Sequence, residues 1–324
     1  MIPGPHFHVA PGGRPLRIVV LRGGQSAERE VSLESGQAVA VALRKAGHRV
    51  TELDPAEVDL RAYPWPRIDA CFVALHGPWG EDGQVQEILE ELGVRYTGSG
   101  PAACRLAMSK SAAKAVFEEQ GIPTPISVTV EQTESTDTRQ SAAAKIGYPL
   151  VVKPDAQGST IGVTIVREPG QMTAALELAF QYDTKAVVES YIAGREITVA
   201  VLGGETLPVI EIVTPGGFYD YQAKYTDPQT EYRFEIPIKQ QTYAEIERIA
   251  AEVYRALGCR GVARVDIRLD EQERPWVLEL NTIPGMTDHS LVPKAAARAG
   301  VDFVALCDRL VKDAVAAAVV EHQD

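Results

Sequence analysis

Apolar residues run without interruption through IVVL at 18–21, in the strand 17–21, and through ACFVAL at 70–75, in the strand 68–75, and each run stops at a loop rich in glycine and polar residues. Between them, residues 31–46 carry small and apolar side chains at helical spacing, and a β-branched run surrounds Val50. Unbroken short runs read as buried strands, and the 3.6-residue period reads as a helix covering them. A second helical stretch at 84–92 repeats the theme. Residues 16 to about 100 therefore predict an open, parallel α/β sheet.

The pattern then changes. Pro101, Pro123 and Pro125 bracket a helical stretch, and the polar segment 131–141 reads as a boundary or surface loop. PLVVKP at 149–154 predicts a buried strand, residues 155–162 a loop of small residues, and 163–166 a returning strand, so the three form a hairpin. Further strands are expected at 186–189 and 197–202. A connection rich in glycine and tyrosine follows at 215–228, then a helix at 244–257 and another hairpin at 262–281. The class is α/β, α+β in parts, without repeats or low-complexity tracts.

At 324 residues the chain has room for two or three domains. Its 44 acidic and 32 basic side chains leave a net charge of -12, which argues against a partner held by clustered cations, such as nucleic acid or an anionic membrane. Any polyanionic ligand must instead meet a few placed cations. Apolar runs such as 314–320 fall short of the roughly 18 residues that span a bilayer, so no transmembrane helix is expected. Cys71, Cys104, Cys259 and Cys307 form no CxxC and sit mostly among apolar residues, as free thiols in a reducing compartment do. Residues 1–15 lack the basic-then-apolar order of a signal peptide. They read as a loose tail, and the chain as cytoplasmic.

The chemistry concentrates in the last hairpin. If it is symmetric about its turn, Asp266 lies opposite Glu279 and Arg264 opposite Asn281, with all four on one face. Facing carboxylates repel, and a cation between them reverses the sign. Hard oxygen donors without thiol or imidazole favour Mg²⁺ or Mn²⁺. A solvated face with its acids paired to Arg264 and Arg268 is the alternative. Lys153, on the strand before QGSTIG at 157–162, is placed to meet phosphate beside a glycine-rich tip, although no P-loop occurs. GSGPAA at 98–103 formally matches a dinucleotide motif, but Pro101 removes an N–H that a pyrophosphate needs. Glu28 and His76 follow the strands of the first sheet, where open α/β sheets bind ligands. A helix-start carboxylate and a satisfied core histidine are the plainer readings of that pair.

Taken together, GGQSAEREVSLESG (23–36), ALHGPWGEDGQVQ (74–86), YTGSGPAACRLAMSK (96–110), VVKPDAQGSTIGV (151–163), FYDYQAKY (218–225), GVARVDI (261–267) and LELNTIPGMTDHSLVP (278–293) resemble the D-alanine–D-alanine ligase family of the ATP-grasp superfamily. The resemblance implies three domains: a substrate-binding α/β unit at 1–103, a central ATP-grasp unit at 104–192 and a C-terminal ATP-grasp unit at 193–324. It implies that ATP and two D-alanine molecules give D-alanyl-D-alanine through an acyl phosphate, for peptidoglycan precursors. ATP contacts fall on Lys110, Lys153, Ser159, Glu189, Glu196 and Lys224. Two Mg²⁺ or Mn²⁺ ions fall on Asp266, Glu279 and Asn281. Glu28 and His76 match contacts to the first D-alanine, and Ser290 with Leu291 those to the carboxylate of the second. Arg264 and the Gly285 N–H match oxyanion donors, and Ser159 and Tyr225 belong to loops closing over the site. A lid at 215–228, a homodimer, and a preference for an amine as second substrate, signalled by Tyr225, are further implications. Pro78 and Trp79 depart from the basic residue that many relatives carry there.

Overall fold

The computed structural model describes residues 14–215, 229–287 and 289–320. Lys224, Tyr225 and most of the expected lid lie outside them. Strands β1 (Arg17–Leu21), β2 (Arg49–Leu53) and β3 (Ala70–Val73) form a parallel sheet in the order β2-β1-β3, extended by a parallel bridge from Cys71 to Tyr96. Helices α1 (Arg29–Lys45) and α2 (Gln84–Glu91) supply the crossovers. Both faces of β1 are covered, as a parallel sheet requires. Val19 and Leu21 pack with Val85 and Leu89 of α2, while Ile18 and Val20 pack with Val39 and Leu43 of α1.

The helical stretch behind Pro101 breaks in two, α3 (Pro101–Met108) and α4 (Lys110–Glu119), because Ser109 leaves helical geometry and caps the second piece through Ala112 N–H. β4 (Ser127–Glu131) follows. The polar segment expected as a loop turns helical from its middle: α5 (Thr136–Ile146) starts on Ser135, whose hydroxyl accepts from Thr138 N–H. Its low apolar content hid it, and the capping serine was its only signal.

A four-stranded antiparallel sheet, in the order β4-β7-β5-β6, contains β5 (Leu150–Pro154), β6 (Thr164–Val166) and β7 (Lys185–Ser190), with α6 (Met172–Ala179) against one face. Alternation sorts its side chains: Val152 and Val188 meet Met172 and Leu176 of α6, and Val151, Lys153 and Glu189 face the other way. The third sheet has the order β11-β10-β8-β12-β13, from β8 (Arg195–Leu202), β10 (Ile210–Val213), β11 (Glu231–Arg233), β12 (Val262–Leu269) and β13 (Pro275–Asn281), with the short β9 (Glu205–Thr206) also paired to β8. Helix α7 (Gln240–Ala256) buries Ile246, Ile249 and Val253 against Val199, Val265 and Ile267, and Phe117 of α4 joins this cluster.

The predicted hairpin register is the observed one, with Arg264 paired to Asn281 and Asp266 to Glu279. Between Asp266 and Ile267 the register slips by one residue, leaving Leu278 as an extra residue in β13. Leu278 and Glu279 both line the same cavity, as a bulge allows two neighbouring side chains to do. Helices α8 (Leu291–Arg298) and α9 (Phe303–Val320) close the chain, and Leu306, Leu310 and Val311 of α9 enter the apolar cluster that holds β1 and α1.

Candidate active site

The four-stranded and six-stranded sheets present polar faces to one another across a cleft enclosing about 810 Å³ of atom-free space, part of it open to solvent. Lys110, Lys153, Glu189, Glu196, Asp266 and Glu279 all line it. Asp155 positions the first of these: its carboxylate accepts from Ser111 N–H at 2.7 Å and Ser109 Oγ at 2.8 Å, fixing the start of α4. Lys110 Nζ then donates to Gln157 O at 2.6 Å and lies 3.3 Å from Glu279 Oε2. Glu196 pairs with Arg268 at 3.1 Å, and Arg268 also donates to Ile192 O and Gly194 O, tying down the backbone at that end of the cleft.

An adjoining cavity gathers the rest. Glu28, His76, Ser159, Arg264, Asn281, Gly285, Ser290 and Leu291 line it, and Glu279 belongs to both. Glu28 precedes α1 but makes no side-chain cap to that helix. Its carboxylate, 7% exposed, accepts instead from the Ser159 hydroxyl of the β5–β6 hairpin. The helix-start reading of Glu28 is thereby replaced by a link from the first sheet to the second. Ser159 and Thr160 hold left-handed backbone, with φ of 53° and 62°, a strained conformation of the kind that collects at functional loops.

His76 is engaged on both ring nitrogens. Nδ1 lies 3.2 Å from Glu81 Oε1, and Nε2 lies 3.3 Å from Ser35 Oγ. Ser35 Oγ already accepts from Met286 N–H at 3.2 Å. If the Ser35 hydroxyl gives its proton to Nε2, the ring proton sits on Nδ1 and is donated to Glu81. Burial raises the Glu81 carboxyl above the usual range, the hydrogen bond from His76 opposes this, and nearby Glu28 adds to it. Neither Glu81 nor Ser35 was singled out in the sequence, although each lies inside a string carrying a predicted residue.

Asp266 does face Glu279 across the hairpin, with Asn281 one step along the same face. Both arginines named in the solvated-face alternative do pair with acids. Arg264 grips Asp266 at 2.8 Å, and Arg268 takes Glu196. Two carboxylates and a carboxamide oxygen are hard donors. Asn281 Oδ1 accepts only Ile283 N–H at 3.0 Å among the described residues, leaving it a lone pair. That set suits Mg²⁺ or Mn²⁺, which complete their shells with phosphate and water. Among the described residues no group of three or more His, Cys, Asp or Glu side chains is arranged to hold a metal ion, so the carboxamide of Asn281 would have to complete any such set. Ser290 begins α8, with its hydroxyl 2.9 Å from Thr287 Oγ1, so the positive end of that helix opens on the cavity.

The dinucleotide-like string packs against the turn that leads into β12. Gly98 lies so close to Gly261 that a Cβ on the latter would stand 3.0 Å from Gly98 N. Arg260 donates to Gly98 O at 2.9 Å and stacks 4.7 Å above the Tyr96 ring. The four cysteines are free, and Cys71, Cys104 and Cys307 are buried. No described helix is long and apolar enough to cross a membrane.

Comparison with known proteins points to one family. The family described as D-ala D-ala ligase C-terminus matches residues 116–312, and its N-terminal counterpart matches 59–99. A D-alanine–D-alanine ligase of Synechococcus sp. (strain JA-2-3B'a(2-13)) is 45% identical over 305 residues, covering 93% of each chain. That of Pelotomaculum thermopropionicum is 45% identical over 307 residues, 92% of this chain and 96% of its own. Among solved structures, the Bacillus anthracis ligase complexed with ATP aligns with a TM-score of 0.83 at 32% identity, covering 94% of this chain and 99% of the other. The Coxiella burnetii ligase aligns at 0.82 and 26% identity, covering 96% and 97%. Sheets, cavities and relatives thus agree, and the chain belongs to the D-alanine–D-alanine ligase family, with its ATP-grasp fold.

Proposed function

We propose that the two adjoining cavities carry out the ligation that gives the family its name, with ATP in the cleft between the four-stranded and six-stranded sheets and two D-alanine molecules in the cavity beside it. The observation that supports this most is Glu279, which lines both cavities and so marks where a nucleotide's terminal phosphate meets an amino-acid carboxylate. Lys110 and Lys153 hold the phosphates, Glu189 lies towards the base, and the Glu196–Arg268 pair lies towards the ribose. Three cations against four carboxylates line the cleft, so a polyanionic nucleotide needs added positive charge there. Asp266, Glu279 and Asn281 would hold two Mg²⁺ or Mn²⁺ ions, which when bound neutralise charge on the transferring phosphoryl group.

Glu28 takes the ammonium of the first D-alanine while Ser159 pins its carboxylate, so the substrate carboxylate points towards Glu279. His76, committed to Ser35 and Glu81, orders the wall of this subsite. A carboxylate is a poor acyl donor. Phosphoryl transfer from ATP to its oxygen gives an acyl phosphate and ADP. The second D-alanine, its carboxylate at the positive end of α8 beside Ser290 and Leu291, attacks the acyl carbon with its amine once that amine has lost a proton. Arg264 and the Gly285 N–H face the oxygen that becomes negative. The C–O bond to phosphate breaks, the nitrogen gives up its second proton to the departing phosphate, and the amide remains. An acyl phosphate hydrolyses readily, so water must be excluded. The loop at 215–228, with Lys224 and Tyr225, is the proposed cover.

A coupled assay for ADP tests the whole reading. ADP release should require D-alanine and Mg²⁺ together, and equal turnover with L-alanine would refute it. A homodimer is part of the same proposal and is checked by sedimentation.

A further inference from the structure

One buried cation near the nucleotide cleft has no part in the reaction just described. Lys114 lies one helical turn after Lys110 on α4, and its side chain is only 3% exposed. Its Nζ donates to Thr124 Oγ1 at 2.7 Å and Pro125 O at 2.9 Å, and lies 2.9 Å from Glu189 Oε2. The Thr124 hydroxyl gives its own proton to Val277 O at 2.9 Å. Thr124 Oγ1 and Pro125 O therefore both accept from Nζ, and the Glu189 carboxylate faces it as an ion pair whose Oε2 takes no well-aligned hydrogen bond. Burial pulls the pKa of Lys114 below that of an exposed lysine, and Glu189 opposes this.

The other oxygen of Glu189, Oε1, lies 2.6 Å from Lys153 Nζ. Glu189 is thus one buried carboxylate between two buried ammonium groups, Lys153 on the cleft side and Lys114 behind it. Alone with Lys153, Glu189 would cancel its charge. With Lys114 present the trio keeps one net positive charge, and Lys153 is the member that lines the cleft together with Glu189. Lys114 also fastens the metal hairpin. Through Thr124 it reaches the carbonyl of Val277, whose N–H donates to Pro123 O at 2.8 Å, next to the extra residue that turns Leu278 and Glu279 into the cleft.

We infer that Lys114 is a positioning residue that sets the charge of the phosphate site, satisfying Glu189 from behind so that Lys153 remains available to the nucleotide's phosphates. The inference rests on assigning the cleft lined by Lys110 and Lys153 to ATP. It predicts opposite signs for two substitutions. Lys114→Met removes the surplus charge, and Glu189→Gln adds to it with little change of shape. A merely structural role predicts loss in both.

The probes are sodium tripolyphosphate, which carries phosphate charge without a base, and adenosine, which carries a base without phosphate. Each is titrated with Mg²⁺ against the full-length protein by calorimetry and in competition with ATP. Lys114→Met should weaken tripolyphosphate on the order of tenfold and adenosine less than about twofold. Glu189→Gln should tighten tripolyphosphate by several fold. Equal losses of both probes in Lys114→Met overturn the inference. So does a Glu189→Gln protein that binds tripolyphosphate no more tightly than wild type, a result that stands even if Lys114→Met does not fold. A wild-type protein that fails to bind ATP overturns the cleft assignment itself, and that failure is visible before any variant is made.

Discussion

Gly258 and Gly261 allow a controlled test of how the first sheet is docked on the third. Both have φ of +67°, but a Cβ at Gly258 meets nothing within 4 Å, whereas at Gly261 it meets Gly98 N at 3.0 Å and Cα at 3.1 Å. An alanine in left-handed backbone costs roughly 1–2 kcal/mol, offset in part by the stiffer unfolded chain, so Gly258→Ala should lose about 1 kcal/mol. Gly261→Ala carries that same cost plus overpacking against backbone that cannot swing aside, about 2–3 kcal/mol more. With an unfolding entropy of about 2.1 cal/mol/K per residue, a chain of 324 residues loses roughly 1.5 °C of Tm per kcal/mol. Scanning calorimetry at one fixed scan rate should therefore show drops of about 1.5 °C for Gly258→Ala and about 5 °C for Gly261→Ala. Equal drops would mean that the Gly98–Gly261 approach is not a steric constraint, and the reading of residues 96–103 as packed against the turn that leads into β12 would fall with it.

Other expectations concern the site and its surroundings. Ser159→Ala removes the hydroxyl that links the hairpin tip to Glu28; kcat/KM for D-alanine should fall about tenfold or more with KM for ATP nearly unchanged, and a selective rise in KM for ATP would contradict the assignment. Ser35→Ala leaves His76 Nε2 and Met286 N–H without their shared partner, and nitrogen NMR of His76 should then show loss of the single Nδ1–H tautomer; an unaltered spectrum would reject the proton assignment. The Arg14 guanidinium, then the Arg17 N–H, hold the Asp69 carboxyl below its usual range against the opposing effect of burial. Its contribution to stability is thus complete above the ordinary aspartate pKa of about 3.9 and is lost as pH falls through the lower folded value. Urea midpoints of Asp69→Asn should accordingly depend less on pH between about 5 and 2 than those of wild type, and parallel profiles would exclude this role.

Much of the site was legible because its residues sit on strands, where alternation alone assigns a face. Arg264, Asp266, Glu279 and Asn281 are found in the register that symmetry about the turn implies. The extra residue at Leu278 was not legible, since nothing in WVLELN distinguishes a bulged strand from a regular one. Glu28 and His76 were visible from their places after β1 and β3, but their partners were not. Ser159 and Ser35 reach them from 131 and 41 residues away, and no local pattern carries such distances. Lys114 escaped notice for a related reason: on a helix it reads as one more surface lysine, and only the arrival of Thr124 and Glu189 buries it. Helix α5 was missed because its face is polar, whereas α1 and α7 announced themselves by an apolar stripe.

The apolar cluster shared by β1, α1 and α9 bears on how the chain comes into being. Ile18, Val20, Val39 and Leu43 are synthesised well before Leu306, Leu310 and Val311, which join them in one cluster. At 5–20 residues per second, roughly 260 residues separate the two groups by some tens of seconds at the slower rate. Throughout that interval the apolar side chains that α9 covers on α1 and β3 lack that cover. The emergence of α9 ends that interval, and a chain stalled on the ribosome before residue 306 should be more sensitive to protease around α1 than the finished protein.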